Sequence, residues 1–147
     1  MTKILPPIYF LAAIALTIAL HFLFPVATLI PSSWRFVGLL PIAAGSVLNL
    51  AADRQFKRRQ TTIKPFQEST ALVTDGAFRW SRNPIYLGMV LIVAGVALIE
   101  GSVTPWIVVA ALAVLLDRLF IRREEEILQG TFGADFLRYK EHVRRWL

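Results

Sequence analysis

The 147-residue sequence contains no cysteine and is poor in charged side chains, which make up 18% of its residues. The absence of cysteine excludes disulfides and thiolate chemistry. A hydrophobic fraction of 56% is too high for a water-soluble domain of this length, and the length leaves room for one domain. These shortages predict a single domain, residues 1–147, that lies in a membrane.

Charge is missing from four long segments of the chain. Segment 8–30 has only His21, and segments 36–52, 85–99 and 103–116 have no charged residue or histidine. A membrane-spanning helix needs roughly 20 apolar residues, with about 17 tolerated. We predict an all-α, polytopic membrane protein with four transmembrane helices, in which His21 bonds a neighbouring helix rather than a ligand. The approximate bounds of the helices are 8–30, 35–52, 84–101 and 103–128.

Positive charge is nearly absent from one side of this arrangement. Of the 16 Lys and Arg residues, 15 precede the first helix, lie between the second and third, or lie at or after the end of the fourth; the exception is Arg35. By the positive-inside rule, both termini and the long central loop are cytoplasmic. This topology and contact with anionic membrane lipids explain the net charge of +6, so no nucleic acid is expected as a partner. We expect an integral protein of a bacterial or archaeal inner membrane.

The long connection between the predicted helices is segment 53–83. Aromatic and aliphatic residues are interspersed with its charges, and loops of this length usually carry function, so we predict an ordered cytoplasmic loop. Gly130 and Gly133 are expected to end the fourth helix, and residues 134–147 to form a C-terminal helix. Its apolar residues have helical spacing, which favours a position on the membrane surface. They are Phe136, Tyr139, Val143 and Trp146.

The hairpin of helices three and four brings two charged segments to the same side of the membrane. Arg82 and Asn83 precede the third helix, where Pro84 fits the first turn, and glutamates at 124–126 follow the fourth. A guanidinium suits a carboxylate, and a carboxylate suits an ammonium group or ribose hydroxyls. S-adenosylmethionine carries all of these groups. An ordinary solvated helix with surface ion pairs would explain the glutamates equally well.

Several motifs in residues 56–147 together resemble a known family. They are Leu-Val-Thr-Asp-Gly-Ala-Phe-Arg-Trp-Ser-Arg-Asn-Pro-Ile-Tyr-Leu-Gly at 72–88, Glu-Glu-x-x-Leu at 124–128, Phe-Gly at 132–133, Tyr139, and Val-Arg-Arg-Trp at 143–146. The series resembles the isoprenylcysteine carboxyl methyltransferase and phospholipid methyltransferase superfamily of integral membrane enzymes. That family's pattern is Arg-His-Pro-x-Tyr followed by Glu-Glu-x-x-Leu. The resemblance implies a methyltransferase that depends on S-adenosylmethionine.

The resemblance also implies that both motifs line the cofactor pocket. Catalytic roles carry over to Arg82, Tyr86 and Glu124, whereas Glu126 falls outside the aligned pair and is expected at the surface. No metal ligands are expected. The residues expected to bind the cofactor are Val73, Thr74, Gly76, Arg82, Asn83, Pro84, Tyr86, Glu124 and Glu125.

Three positions depart from the family pattern. Asn83 replaces the usual histidine, which keeps hydrogen bonding but removes a possible charge. Phe78 and Phe136 stand where tyrosine is common, and each loses a hydroxyl. None of these changes removes a group that cofactor binding requires.

The expected acceptor is lipid-like or prenylated, with isoprenylcysteine carboxylate as the example that the resemblance implies. A phospholipid amine is the alternative. Two other classes remain open: NADPH-dependent membrane reductases, which are similar in C-terminal architecture, and a non-catalytic lipid-binding protein. Gly88, near Tyr86, is expected to leave space for an acceptor that arrives from the bilayer. The oligomeric state is left open.

Overall fold

The computed structural model describes residues 5–59 and 70–147, so part of the predicted loop, 60–69, lies outside the described residues. Within the described ranges all regular secondary-structure elements are helices. One isolated β-bridge joins Thr28 to Ser102. The all-α prediction is therefore confirmed for this part of the chain.

The elements follow one another as α1 (Pro6–Leu23), a 3-10 helix (Ser32–Gly38), α2 (Leu39–Arg58), a second 3-10 helix (Gly76–Arg79), α3 (Pro84–Glu100), α4 (Pro105–Leu116), a π-turn (Asp117–Ile121), α5 (Arg122–Phe132) and α6 (Ala134–His142). The end of α2, the start of α3 and the end of α4 meet at one end of the bundle. We call this the site end.

A close helix contact joins the segment 38–58 to α3 through two pairs of glycines. A Cβ atom at Gly45 would lie 2.4 Å from the carbonyl oxygen of Gly88, and one at Gly38 would lie 2.4 Å from that of Gly95. In each segment the two glycines are two helical turns apart and therefore share one face. Because glycine has no side chain, the two helix backbones lie closer together than they could with any other residue at these positions.

The predicted role of Gly88 as a space for the acceptor is wrong. A Cβ atom there would meet the side chain of Asn49 at 2.3 Å and the carbonyl oxygen of Gly45 at 2.7 Å. The space beside Gly88 is already filled by α2. Its glycine is needed for helix packing.

Two apolar clusters hold the elements together. The larger joins α1, α3, α4 and the π-turn through buried side chains that include Val93, Leu112 and Phe120. The smaller lies at the site end, where Val73 and Phe78 pack against Ala52 of α2. It fixes the segment before α3 to the bundle.

Several helix ends differ from the prediction. The first helix ends at Leu23 rather than near 30, because Pro25 follows. Proline has no N–H to donate to the helix, and it disfavours the helical conformation of the residue before it. Segment 35–52 begins as a 3-10 helix and continues as α2 to Arg58. The third helix, Pro84–Glu100, agrees with the predicted 84–101 within one residue.

The last predicted helix is shorter than expected and faces inward. α6 ends at His142 rather than 147, and Val143 is already extended. Phe136 is 1% exposed, Tyr139 packs on the smaller cluster, and Trp146 packs on the larger one. The prediction that this apolar stripe rests on lipid is wrong, since the stripe covers the protein itself.

Two helical stretches are long and apolar enough to cross a membrane, Pro6–Leu23 and Ser32–Arg58. Pro84–Glu100 is apolar but shorter, with 17 residues. The four-span topology therefore stays a prediction. The Nδ1 atom of His21 lies 2.8 Å from the hydroxyl of Ser102, so this histidine bonds the turn between α3 and α4 and not a neighbouring helix.

Candidate active site

The two predicted motifs meet through a buried ion pair at the site end. The Nη2 and Nε atoms of Arg82 lie 2.9 and 3.0 Å from Oε1 of Glu125. Their side chains are only 8% and 7% exposed. Arg82 Nη1 also donates to the backbone oxygens of Lys140 and Val143. The guanidinium therefore joins α5 to the C-terminal segment.

Glu125 has a second guanidinium partner that was not among the predicted site residues. Arg145 Nη2 donates to Oε2 of Glu125 at 2.6 Å, and its Nη1 donates to Oδ1 of Asp117 at 3.0 Å. Burial by itself would raise the pKa of Glu125, but the hydrogen bonds from Arg145 and Arg82 outweigh it and hold that pKa below its ordinary value. Glu125 is thus an ionised carboxylate between two cations.

Three consecutive residues before α3 bind the chain after α6. The backbone N–H of Arg82 donates to the carbonyl oxygen of Arg144 at 3.0 Å. The hydroxyl of Ser81 and the side-chain amide of Asn83 both donate to the carbonyl oxygen of Arg145, at 3.2 and 3.1 Å. Asn83 thus retains the hydrogen bonding expected where the family has histidine.

The first glutamate of the motif faces a different partner. The hydroxyl of Tyr86 donates to Oε1 of Glu124 at 2.6 Å, and the ring of Tyr86 stacks on Phe120 with centroids 6.2 Å apart. Glu124 lies on α5, beyond the apolar helix α4. Burial raises the pKa of Glu124 from its ordinary 4.5 to about 7, while the Tyr86 hydrogen bond acts in the opposite direction. Its carboxyl group can therefore gain or lose a proton near neutral pH.

A cavity of about 440 Å³ lies beside the contact of Arg82 with Val143, which is one of its lining residues. This volume lies within the range of roughly 300–1,000 Å³ that is usual for small-molecule sites. Its lining residues, from the segment before α3 and from the C-terminal region, are Thr74, Arg79, Arg138, Tyr139, His142 and Val143. The hydroxyl of Tyr139 donates to the carbonyl oxygen of Phe78 at 2.6 Å, which ties the two walls together. Arginines on both walls suit an anionic group on a ligand.

Four of the predicted cofactor residues, from 73 to 84, differ in whether they line the cavity. Thr74 lines the cavity. Val73 is buried in the smaller cluster, Gly76 has φ +60° and touches Gln55, and Pro84 is buried in the first turn of α3. The last three therefore shape the wall through packing and backbone geometry. Their roles toward a cofactor stay predictions.

The alternative of a solvated helix with surface ion pairs does not account for the glutamates. Glu126 is exposed, as expected, but Glu125 is buried and its partners come from outside α5. Arg122 pairs with Asp117 instead of a glutamate of its own run. The first two glutamates therefore point into the protein.

The sequence reasoning missed Asp117, Arg145 and Ser81. Arg145 belongs to the Val-Arg-Arg-Trp motif, so the resemblance offered a signal for it. Ser81 is adjacent to the Arg-Asn-Pro motif. Asp117 carried no signal, because it lies outside the motifs that carry the family resemblance.

The fold of this chain is similar to that of a solved membrane protein. A eukaryotic intramembrane Ras methyltransferase, isoprenylcysteine carboxyl methyltransferase, has a similar structure with a TM-score of 0.70. The similarity covers 96% of this chain and 51% of that chain at 21% sequence identity, so it concerns the fold alone.

Sequence comparison identifies the family. The phospholipid methyltransferase family matches residues 34–135. The chain belongs to this family, within the superfamily that its motifs predicted. With its apolar helices, it is a membrane protein.

Two relatives differ in how much of each chain they share. Protein-S-isoprenylcysteine O-methyltransferase A of Arabidopsis thaliana is 31% identical over 111 residues, which covers 72% of this chain and 55% of that protein. An uncharacterized protein of Haemophilus influenzae is 36% identical over 63 residues, 43% of this chain and 100% of that protein. The chain thus spans about half the length of the methyltransferases that it matches.

Proposed function

We propose that this protein transfers a methyl group from S-adenosylmethionine to a membrane-embedded or amphiphilic acceptor, with a carboxylate like that of isoprenylcysteine. The observation that carries the proposal is the buried contact of Arg82 with Glu125. It joins the two motifs of a methyltransferase family beside a cavity of ligand size.

The residues present fit S-adenosylmethionine. The cavity offers arginine side chains for a carboxylate and the hydroxyls of Thr74 and Tyr139 for polar groups, and its volume suits a molecule of this size. Arg79 and Arg138 would hold the carboxylate end. When bound, S-adenosylmethionine supplies a methyl group on a cationic sulfur, which the acceptor takes with release of S-adenosylhomocysteine.

The other predicted residues would act mainly by holding this site together. Arg82 is fully engaged with Glu125 and two backbone oxygens, so its role is to fix the wall made by residues 140–145. Asn83 supports the same wall through Arg145. Correct positioning of two reactants can account for a large part of a rate enhancement.

Tyr86 and Glu124 are the candidates for contact with the acceptor. A carboxylate acceptor is ionised at neutral pH and needs no base. An ammonium acceptor must lose a proton, and Glu124, with a pKa of about 7, is suited to take it. This favours a phospholipid amine as the second candidate acceptor, in agreement with the family match.

The acceptor would enter from the bilayer, with the site end facing the cytoplasm and both termini on that side. This orientation rests on the distribution of Lys and Arg. The lateral approach rests on the apolar surface that α1 and α2 expose toward the site end; its exposed residues include Ile8, Leu11, Val47 and Leu50. Such a surface faces lipid in a membrane.

The test is methyl transfer from methyl-tritiated S-adenosylmethionine in lipid nanodiscs. Prenylated cysteines with increasing chain length should be labelled with increasing efficiency, and the label should be released as methanol by base. The methyl ester of each acceptor is the matched control, because its carboxylate is blocked.

Other outcomes would redirect the proposal. Base-stable label on a phospholipid would favour the amine acceptor. Efficient labelling of a small soluble acceptor, unaffected by a lipid tail, would contradict lateral entry. Binding of NADPH without any response to S-adenosylmethionine would favour a reductase.

A further inference from the structure

The helix that carries the glutamates is interrupted by a π-turn at Asp117–Ile121. π-Turns are rare, and they are frequent at functional sites. This one lies directly before α5 and contains Phe120, which stacks on Tyr86. Its position suggests that it adjusts the direction of the side chains on both sides.

The π-turn changes the angle between Asp117 and Glu125. Over eight residues, an unbroken α-helix would leave these two positions roughly 80° apart. A π-turn closes its hydrogen bonds at i+5 and so holds about one extra residue, which brings the two positions to within roughly 20° of one face. Both carboxylates then lie on the same side of the helix.

One guanidinium spans both carboxylates. Arg145 Nη1 bonds Asp117 at 3.0 Å, and Arg145 Nη2 bonds Glu125 at 2.6 Å. The planar fork of arginine can make two such bonds in different directions, whereas the single amine of lysine cannot hold the same geometry. The backbone oxygen of Arg145 at the same time accepts from Ser81 and Asn83.

We propose that Asp117 is a positioning residue for the candidate active site. It acts through Arg145: the π-turn sets Asp117 in line with Glu125, and the resulting bridge fixes the segment 143–147 against the segment before α3. The effect on the cofactor rests on the proposed function. The effect on the segment itself does not.

The first test is hydrogen exchange in the protein without cofactor. Asp117→Asn removes the charge with little change in shape. The variant should raise by about tenfold the exchange rates of the Arg82 and Val143 amides, which donate to the carbonyl oxygens of Arg144 and Tyr139. The amides inside α2 and α3 should stay protected, since loss of one contact opens a local segment first. Asp117→Glu should restore part of the protection. Asp53→Asn, which breaks an exposed pair with Lys57, is the matched control and should change nothing there.

The second test asks whether Asp117 acts through Arg145. Arg145→Lys should give a similar rise in exchange, and Asp117→Asn should add little in that background, because residues in one network are not additive. Multiplying effects in the double variant would overturn the proposal. So would unchanged exchange in either single variant. If Asp117→Asn does not fold, Arg145→Lys with its rise confined to the Arg82 and Val143 amides still tests the bridge.

The cofactor provides a separate readout. The affinity for S-adenosylmethionine should fall about five- to twentyfold in the single variant Asp117→Asn, because a charged contact that positions the cavity wall is lost. The KM for the cofactor should change more than kcat. An unchanged KM with reduced kcat would overturn this part of the proposal. If the wild-type protein does not bind S-adenosylmethionine at all, the proposed function fails, and the exchange experiment still tests the bridge.

Discussion

Glu125 accepts hydrogen bonds from both Nε and Nη2 of Arg82, a residue 43 positions earlier in the chain, at 3.0 and 2.9 Å. Both side chains are almost completely buried. A buried pair of this kind is strongly affected by the loss of one partner, because the remaining charge stays without compensation. The pair therefore connects the stability of the site end to its binding function.

Glu125→Gln should lower both stability and cofactor affinity. Removing the charge leaves Arg82 and Arg145 without their shared anion, and breaking a buried pair typically costs about 3–5 kcal/mol. Affinity should fall roughly ten- to hundredfold as the wall of the cavity loosens. Thermal unfolding in detergent and a binding titration measure the two effects.

Glu126→Gln is the matched control for this experiment. Glu126 is the adjacent residue in the same helix and is exposed. We expect almost no change in either quantity. Equal effects at Glu125 and Glu126 would contradict the assignment of the carboxylate pair.

With a phospholipid amine as the acceptor, turnover should depend on the ionisation of Glu124, which would take the proton of the ammonium group. If an ionised Glu124 is needed, the rate rises with pH through about 7, the pKa to which burial raises this group. Tyr86→Phe removes a hydrogen bond that favours the ionised form, so its profile should shift to higher pH. Glu124→Gln should lose this transition. A wild-type profile that is flat from pH 5 to 9, or unchanged by Tyr86→Phe, would argue against the role.

The same group predicts a change of stability with pH. The pKa of Glu124 is higher in the folded state than its ordinary 4.5, so the folded protein binds more protons between that value and about 7. Its contribution to stability is complete below pH 4.5 and is lost as pH rises through 7. The difference in unfolding free energy between wild type and Glu124→Gln should therefore decrease over this interval in chemical denaturation.

The glycine contacts predict a contrast between two alanine substitutions. Gly45→Ala should destabilise the protein, because its Cβ would collide with the backbone of α3. Gly130→Ala has no atom within 4 Å and should be neutral or stabilising by about 0.4–1 kcal/mol, since alanine loses less backbone entropy. Unfolding midpoints in detergent measure both. A Gly45→Ala protein as stable as wild type would contradict the close packing.

Cysteine labelling tests the orientation. Ser33, before α2, is exposed and suitable for labelling. In the turn between α3 and α4, Ser102 is buried and bonded to His21, so the more exposed Val103 is used instead. Single cysteines at Ser33 and Val103 should react with an impermeant reagent from outside intact cells, and one at Thr131 should not. The reverse pattern would place the candidate active site outside the cell.

The sequence was sufficient for the parts of the site that depend on local patterns. The Pro84 helix start and the adjacency of Arg82 to the glutamates follow from spacing and hydropathy, whereas the surface position of Glu126 follows from the family resemblance. The all-α class follows from the charge-free runs. Each of these depends on residues close to one another in sequence or on the geometry of one hairpin.

The remaining features depend on contacts that no local pattern encodes. A glycine at position 88 could leave space for a ligand, but α2 fills the space beside Gly88. The apolar stripe of α6 has the spacing of a membrane-surface helix, but the segment before α3 provides a protein surface for it. Asp117 lies in a π-turn, and no local sequence pattern indicates that change of helix register.

The most direct test of the central claim is a titration of S-adenosylmethionine into the detergent-solubilised protein, in which binding is measured by calorimetry or by retention of the tritiated cofactor. The account predicts saturable binding at one site per chain, competition by S-adenosylhomocysteine, and strong weakening by Glu125→Gln but not by Glu126→Gln. Absence of binding by a folded wild-type protein, or binding of NADPH in its place, would contradict it.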